Sequence, residues 1–169
     1  MKLTRSVIVV LCSAALVAVA ALAWRWAGAR DVAPAVSYTL LDGSKGHSDQ
    51  WRGKVVLVNF WATTCAICVA EMPQVVATHQ RFKARGFDTL AVAMSYDPPV
   101  LVANYAESRR LPFGVVIDNT GAIAKGFGDV QLTPTTFVIN QRGEIVKRCV
   151  GAPDFAALNA LIDKLLKAG

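Results

Sequence analysis

Cys65 and Cys68 stand three positions apart in the stretch Asn59-Phe60-Trp61-Ala62-Thr63-Thr64-Cys65-Ala66-Ile67-Cys68. On a helix that spacing brings both sulfurs to one face, a turn apart and within disulfide reach. The run before them, Val55-Val56-Leu57-Val58-Asn59-Phe60, has the length and apolar content of a central strand buried on both faces. A cysteine at such a strand-to-helix junction sits near unpaired backbone N–H groups and the positive end of the helix dipole. Both stabilise a thiolate, so Cys65 is expected to ionise below the ~8.5 of a free thiol. The thiolate attacks a disulfide. Cys68, less exposed, then attacks Cys65 and releases the product. The pair reads as a thioredoxin-like redox couple.

Other chemistries of a cysteine pair are less well served. Zinc usually needs a second Cys or His pair, and His47 and His79 offer none at ligand spacing. Covalent haem attachment needs His directly after the pair, where Val69 stands. Soft thiolates favour copper(I), so a copper metallochaperone is an alternative. The lack of a supporting histidine and the helix-start context count against it. A peroxiredoxin-like peroxidase, the other alternative, wants a Thr three residues before its cysteine, where this chain has Ala62. Two core cysteines with no chemistry are the plainest reading of all. Cys12, and Cys149 in the last strand, read as apolar filler, Cys149 as a buried one.

The surrounding pattern says what must position the pair. From residue 65 to about 85, Val69, Met72, Val75, Val76 and Phe82 fall at helical spacing, and Gly86 stops the helix. Pro73 removes a backbone donor inside it and predicts a kink. A second strand spans 89–94. Pro98-Pro99 opens a helix to about residue 110, a third strand covers 114–118, and a short helical turn covers 121–125. Residues 135–140 and 144–150 read as two strands joined by a hairpin connection. A last helix follows Pro153, with Phe155, Leu158, Leu161, Ile162 and Leu165 as one apolar stripe. Residues 31–50 look like a linker leading into a small hairpin. The sum is an α/β domain with a mixed sheet and helices on both faces.

Three motifs carry a family resemblance. Val58-Asn59-Phe60-Trp61-Ala62 before the pair, Glu71-Met72-Pro73 after it, and Thr133-Pro134-Thr135-Thr136-Phe137-Val138-Ile139 further on resemble the membrane-tethered thioredoxin-like proteins of the TlpA/ResA type, over about residues 34–169. The resemblance implies a thioredoxin fold with an N-terminal hairpin and a central helical insertion, matched by residues 98–110. It implies a thiol-disulfide oxidoreductase on the periplasmic side of the inner membrane. Such proteins reduce disulfides in partners, among them apocytochrome c in cytochrome c maturation and copper-site proteins in oxidase assembly. They draw electrons from a membrane thiol reductant. No cofactor or metal is implied, and a monomer is expected.

The resemblance also assigns residues. Cys65 is the nucleophile and Cys68 resolves. Glu71 matches the family's active-site glutamate, which exchanges protons with the thiols if partly buried. Pro134 matches the loop proline that is cis in the fold. It would place Thr133 beside the cysteines, where its backbone pairs with an incoming substrate strand. Trp61 resembles the family's platform beside the site and joins Thr133 and Pro134 in substrate docking. Asn59 stands where thioredoxin has a buried acid, and a neutral amide cannot accept that proton. Ala66-Ile67 replaces thioredoxin's Gly-Pro between the cysteines, which alters redox poise and leaves reduction and oxidation both open. Thr64 replaces the tryptophan common before the first cysteine, so the partner-facing surface differs.

Charge and hydropathy divide the 169 residues at about position 30. The chain carries 18 basic and 12 acidic side chains, a formal +6, but residues 1–30 hold Lys2, Arg5, Arg25 and Arg30 and no acid. The remainder is nearly neutral and shows no basic patch with interleaved aromatics, so nucleic acid is not an expected partner. Ser6 to Trp24 is free of charge and as a helix would span roughly 28 Å, close to the ~30 Å bilayer core. Lys2 and Arg5 precede it, and Trp24 and Trp26 close it as interfacial aromatics do. Residues 1–30 are therefore an anchor or a cleaved signal peptide. Ala21-Leu22-Ala23 and Ala27-Gly28-Ala29 both suit cleavage, while the length favours the anchor. Residues 31–169 form the redox domain.

Overall fold

The computed structural model describes residues 31–168; the expected anchor or signal peptide, with Cys12, lies outside the described residues. The first described element is the expected hairpin. β1 (Ser37–Thr39) pairs antiparallel with β2 (Lys45–His47). Gly46 in β2 is a glycine by necessity, because any Cβ there would overlap the Tyr38 ring. A 3-10 turn, Ser48–Trp51, follows, and the Trp51 indole N–H donates to the Tyr38 hydroxyl at 3.1 Å.

β3 (Val55–Trp61) is buried along its whole length, as a two-faced apolar run should be. It is the centre of a five-stranded sheet in the order β5-β4-β3-β6-β7, with β4 (Phe87–Ala93), β5 (Gly114–Ile117), β6 (Thr135–Ile139) and β7 (Ile145–Val150). β3, β4 and β5 run parallel; on the other side β6 pairs antiparallel with β3, and β7 pairs antiparallel with β6. The mixed sheet and the C-terminal hairpin are as the pattern predicts.

Strand periodicity splits the core in two. Val55, Leu57 and Trp61 face α1 (Ala66–Phe82), α2 (Pro99–Ser108) and α4 (Phe155–Ala168), meeting Met72, Val75 and Phe82, then Val102, then Leu158 and Ile162. Val56, Val58 and Phe60 face the other way. They pack with Phe137, Trp51 and the short α3 (Ala122–Gly126), and Tyr38 of the hairpin covers them. Phe60 touches Phe127 and Phe137 edge-on at 5.4 and 5.8 Å between ring centres, an arrangement that suits the ring quadrupoles.

Helix α1 runs unbroken from Ala66 to Phe82 through Pro73. The stop at Gly86 is as expected, with a left-handed φ of 88° after a 3-10 turn over Lys83–Arg85. His79 on this helix is a core residue. Its Nδ1 lies 3.1 Å from Thr89 Oγ1, its ring lies between Phe87 and Phe113, and burial holds its pKa below the usual imidazole value. Among the described residues no helix is long and apolar enough to cross a membrane.

Because Phe60 is fully buried among aromatic rings, Phe60→Ala is expected to cost about 3–5 kcal/mol. Urea unfolding of residues 31–169 followed by fluorescence measures this; a loss under ~1 kcal/mol would mean that the rings do not form the core described.

Candidate active site

β3 ends at Trp61, and the chain must turn before it can enter α1. Cys65 closes that turn as the N-cap, with extended backbone at φ −90° and ψ 103°. An N-cap side chain ordinarily offers oxygen to the first free N–H groups. Here sulfur does so: the Cys68 N–H donates to Cys65 Sγ at 3.2 Å. The two cysteines form a disulfide with Cα atoms 5.2 Å apart. Cys65 is half-buried and Cys68 fully buried, so one sulfur is open to a partner and the other is not.

Behind the pair lies a polar row in an otherwise apolar layer. Glu71, one turn after Cys68 on α1, is only 6% exposed. Asn59 Nδ2 donates to Glu71 Oε1 at 3.2 Å and to Thr136 Oγ1 at 3.0 Å. Asn59 and Thr136 are register partners on β3 and β6, so the sheet itself brings the amide and the hydroxyl together. Glu71 Oε2 and Asn59 Oδ1 are buried without a hydrogen-bond partner. Burial pushes the Glu71 carboxyl up from 4.5 to about 6, against the opposing pull of the Asn59 donor. A carboxyl so placed changes its charge near neutral pH, as a proton-exchanging group must.

The third part of the site comes from the loop before β6. The Thr133–Pro134 peptide is cis. Thr133 is half-buried, and its carbonyl oxygen stands 3.7 Å from Cys65 Sγ. The β3–β6 ladder begins only at Thr135 opposite Phe60, so Thr133 lies just outside it.

Cys65, Cys68 and Glu71 at the start of α1 and Thr133 and Pro134 in the loop before β6 are thus drawn together from two segments. Trp61 is a correction. Its side chain is 0% exposed, packed against Tyr105 with ring centres 5.1 Å apart. It underlies the site and offers no surface to a docking partner, because the last residue of a strand buried on both faces points into the helix layer. Cys149 is another. It is half-buried rather than buried, in a cavity of about 540 Å³ beside the start of α4, since the outer strand β7 is only partly covered.

Two residues escaped the sequence reading. Asp97, between β4 and α2 and almost fully buried, accepts the backbone N–H and the hydroxyl of Thr63, each at 2.6 Å. Tyr96 beside it places its hydroxyl 3.2 Å from Thr133 Oγ1. An acid just before Pro98-Pro99 was the only linear signal; the pairing spans 34 positions.

The Redoxin family model matches residues 28–162. The thiol-disulfide oxidoreductase ResA of Bacillus thuringiensis subsp. konkukian is 31% identical over 133 residues, covering 79% of this chain and 76% of that protein. A solution structure from Neisseria meningitidis, put forward as a thioredoxin, superposes with a TM-score of 0.76 at 39% identity, covering 82% of this chain and 92% of that one. The thiol:disulfide interchange protein of Chlorobium tepidum superposes with a TM-score of 0.75 at 27% identity, over 82% and 98% of the two chains. The fold and the matched family define a thioredoxin-like oxidoreductase. The chain belongs to the TlpA/ResA-type family of thiol-disulfide oxidoreductases, enzymes that act on disulfide-containing substrates.

Glu71 makes stability depend on pH in a defined sense. A buried acid whose folded value is raised favours the fold below about 4.5, and that advantage is lost as pH rises through about 6. Glu71→Gln removes the ionisation, so its stability relative to the parent should rise by about 2 kcal/mol between pH 4 and pH 8. Denaturant unfolding at both pH values checks this; the same difference at both would show that Glu71 does not titrate as a buried group.

Proposed function

We propose that this chain is a membrane-tethered periplasmic reductase of protein disulfides, with Cys65 as nucleophile. The observation that carries the proposal is the asymmetry of the pair. Cys65 is accessible, caps a helix and receives the Cys68 N–H, while Cys68 is sealed behind it. A thiolate is stabilised at the sulfur that a partner reaches.

In the forward step the Cys65 thiolate attacks one sulfur of the partner's disulfide. One partner sulfur leaves as thiolate and takes a proton, and a mixed disulfide joins Cys65 to the other. Glu71 accepts the proton of the Cys68 thiol. The Cys68 thiolate attacks Cys65 Sγ, the second partner sulfur leaves, and Glu71 returns the proton to it. Two electrons pass from the dithiol to the partner, and the Cys65–Cys68 disulfide remains for a membrane thiol reductant to reduce.

The partner docks as polypeptide. Residues 61–70 and 130–136 carry no charge, and Ile67 and Leu132, on either side of the site, are exposed apolar side chains. Thr133 lies outside the sheet ladder, which supports the reading that its backbone pairs with an extended segment of the partner. Apocytochrome c and copper-site proteins are disulfide-bearing partners of this kind. Tethering rests on the uncharged Ser6–Trp24 stretch with its basic and aromatic flanks.

Cys65→Ser is expected to abolish reduction of insulin disulfides, and Cys68→Ser to trap mixed disulfides with partners. The couple should have a potential near the ~−270 mV of thioredoxin, whereas one near ~−120 mV would overturn the reductive direction. The full chain should stay with membranes through carbonate washing. Recovery as a shortened soluble periplasmic protein would replace the anchor with a cleaved signal.

A further inference from the structure

The loop between β4 and α2 presents two adjacent side chains to opposite halves of the site. Asp97, 1% exposed, holds Thr63 by its N–H and its hydroxyl. Thr63 lies two residues before Cys65. Tyr96, 58% exposed, reaches the other way, with its hydroxyl 3.2 Å from Thr133 Oγ1. Thr133 in turn brings its carbonyl oxygen to 3.7 Å from Cys65 Sγ. One short loop grips both the strand-to-helix turn and the proline loop.

The carbonyl matters because of its sign. A carbonyl oxygen accepts a hydrogen bond from a thiol and repels a thiolate. The Cys68 N–H on the same sulfur does the reverse. One donor and one acceptor thus meet the Cys65 sulfur with opposite effects on a thiolate, and the acceptor is only as close as its loop is held. Residues 131 and 132 are exposed, and the loop's internal bond is Thr135 Oγ1 to the Leu132 carbonyl at 2.7 Å. The Tyr96 hydroxyl ties Thr133 across to the facing loop.

We propose that Tyr96, anchored beside Asp97, is a positioning residue that clamps the Thr133 carbonyl against Cys65 and so restrains its ionisation. This rests on Cys65 being the nucleophile. Tyr96 touches none of the reacting atoms. On α1 the titratable groups are Cys68 and Glu71 near its start and His79 and Arg81 near its end; the loop between β4 and α2, here the clasp, brings Tyr96 and Asp97, and residues 130–136 bring none.

Tyr96→Phe keeps the ring and deletes the hydroxyl. Thr133→Val deletes the other end of the same bond. In the reduced full-length chain, iodoacetamide alkylation of Cys65 is followed against pH, with the modified cysteine located by mass spectrometry. Each variant should move the alkylation profile to lower pH and raise the rate on its acid limb roughly two- to tenfold, the span of one net hydrogen bond. The potential should become less negative in step, the double variant should add nothing, and Thr133→Ser should restore the parent profile. Unchanged profiles in both single variants, or additive effects in the double, would overturn the clasp while leaving Cys65 as nucleophile. Alkylation of the parent at a cysteine other than Cys65 would instead overturn the nucleophile assignment, and the clasp with it.

Discussion

A helix cannot satisfy its own first N–H groups, and at the start of α1 sulfur from Cys65 meets one of them. Much of the site follows from that constraint. The sulfur must stand at the helix end and not within it, so the chain before it must leave the sheet and turn within a few residues. β3 is buried on both faces and ends at Trp61, which leaves Ala62, Thr63 and Thr64 to make the turn. The Cys65 N–H closes the turn on the Ala62 carbonyl at 3.2 Å. Asp97 holds it from the neighbouring strand's exit, through the N–H and hydroxyl of Thr63.

The same placement explains why the two cysteines differ. Three positions along a helix turn the second sulfur inward, beneath the first and against the apolar layer that contains Met72 and Trp61. A thiol there is poorly placed to lose its proton to water. Glu71, a turn further along the same side, is a buried carboxyl. Burial raises its pKa to about 6, against the opposing pull of the Asn59 donor. Asn59 accommodates this. A second buried acid at that position would place two negative charges side by side, whereas an amide donates to the carboxyl and bears no charge.

Much of this was legible in the linear chain. The seven-residue run of β3, the helical spacing of Val69, Met72, Val75 and Phe82, the Gly86 stop and the C-terminal hairpin all emerge from periodicity, because each depends on neighbours within a few positions. The redox pair was legible for the same reason, since its geometry is local to one turn of helix. Trp61 was misplaced as a docking surface because the pattern of a two-faced strand does not say which layer covers its last residue. Cys149 was misjudged because half-burial on an outer strand depends on how far α4 reaches over it.

The chain by itself thus determined the chemistry: two cysteines at a strand-to-helix junction, an acid one turn on, and a proline loop to face them. It also set apart the charge-free Ser6–Trp24 stretch, to which most of the excess basic charge is adjacent. Only the tertiary structure decided what surrounds the Cys65 sulfur. The Thr133 carbonyl stands 68 positions from Cys65 in sequence, and the Thr63–Asp97 and Tyr96–Thr133 links join segments 34 and 37 positions apart. Hydrogen bonds of this kind leave no periodic trace, because each partner is placed by the packing of its own strand and not by the residues beside it.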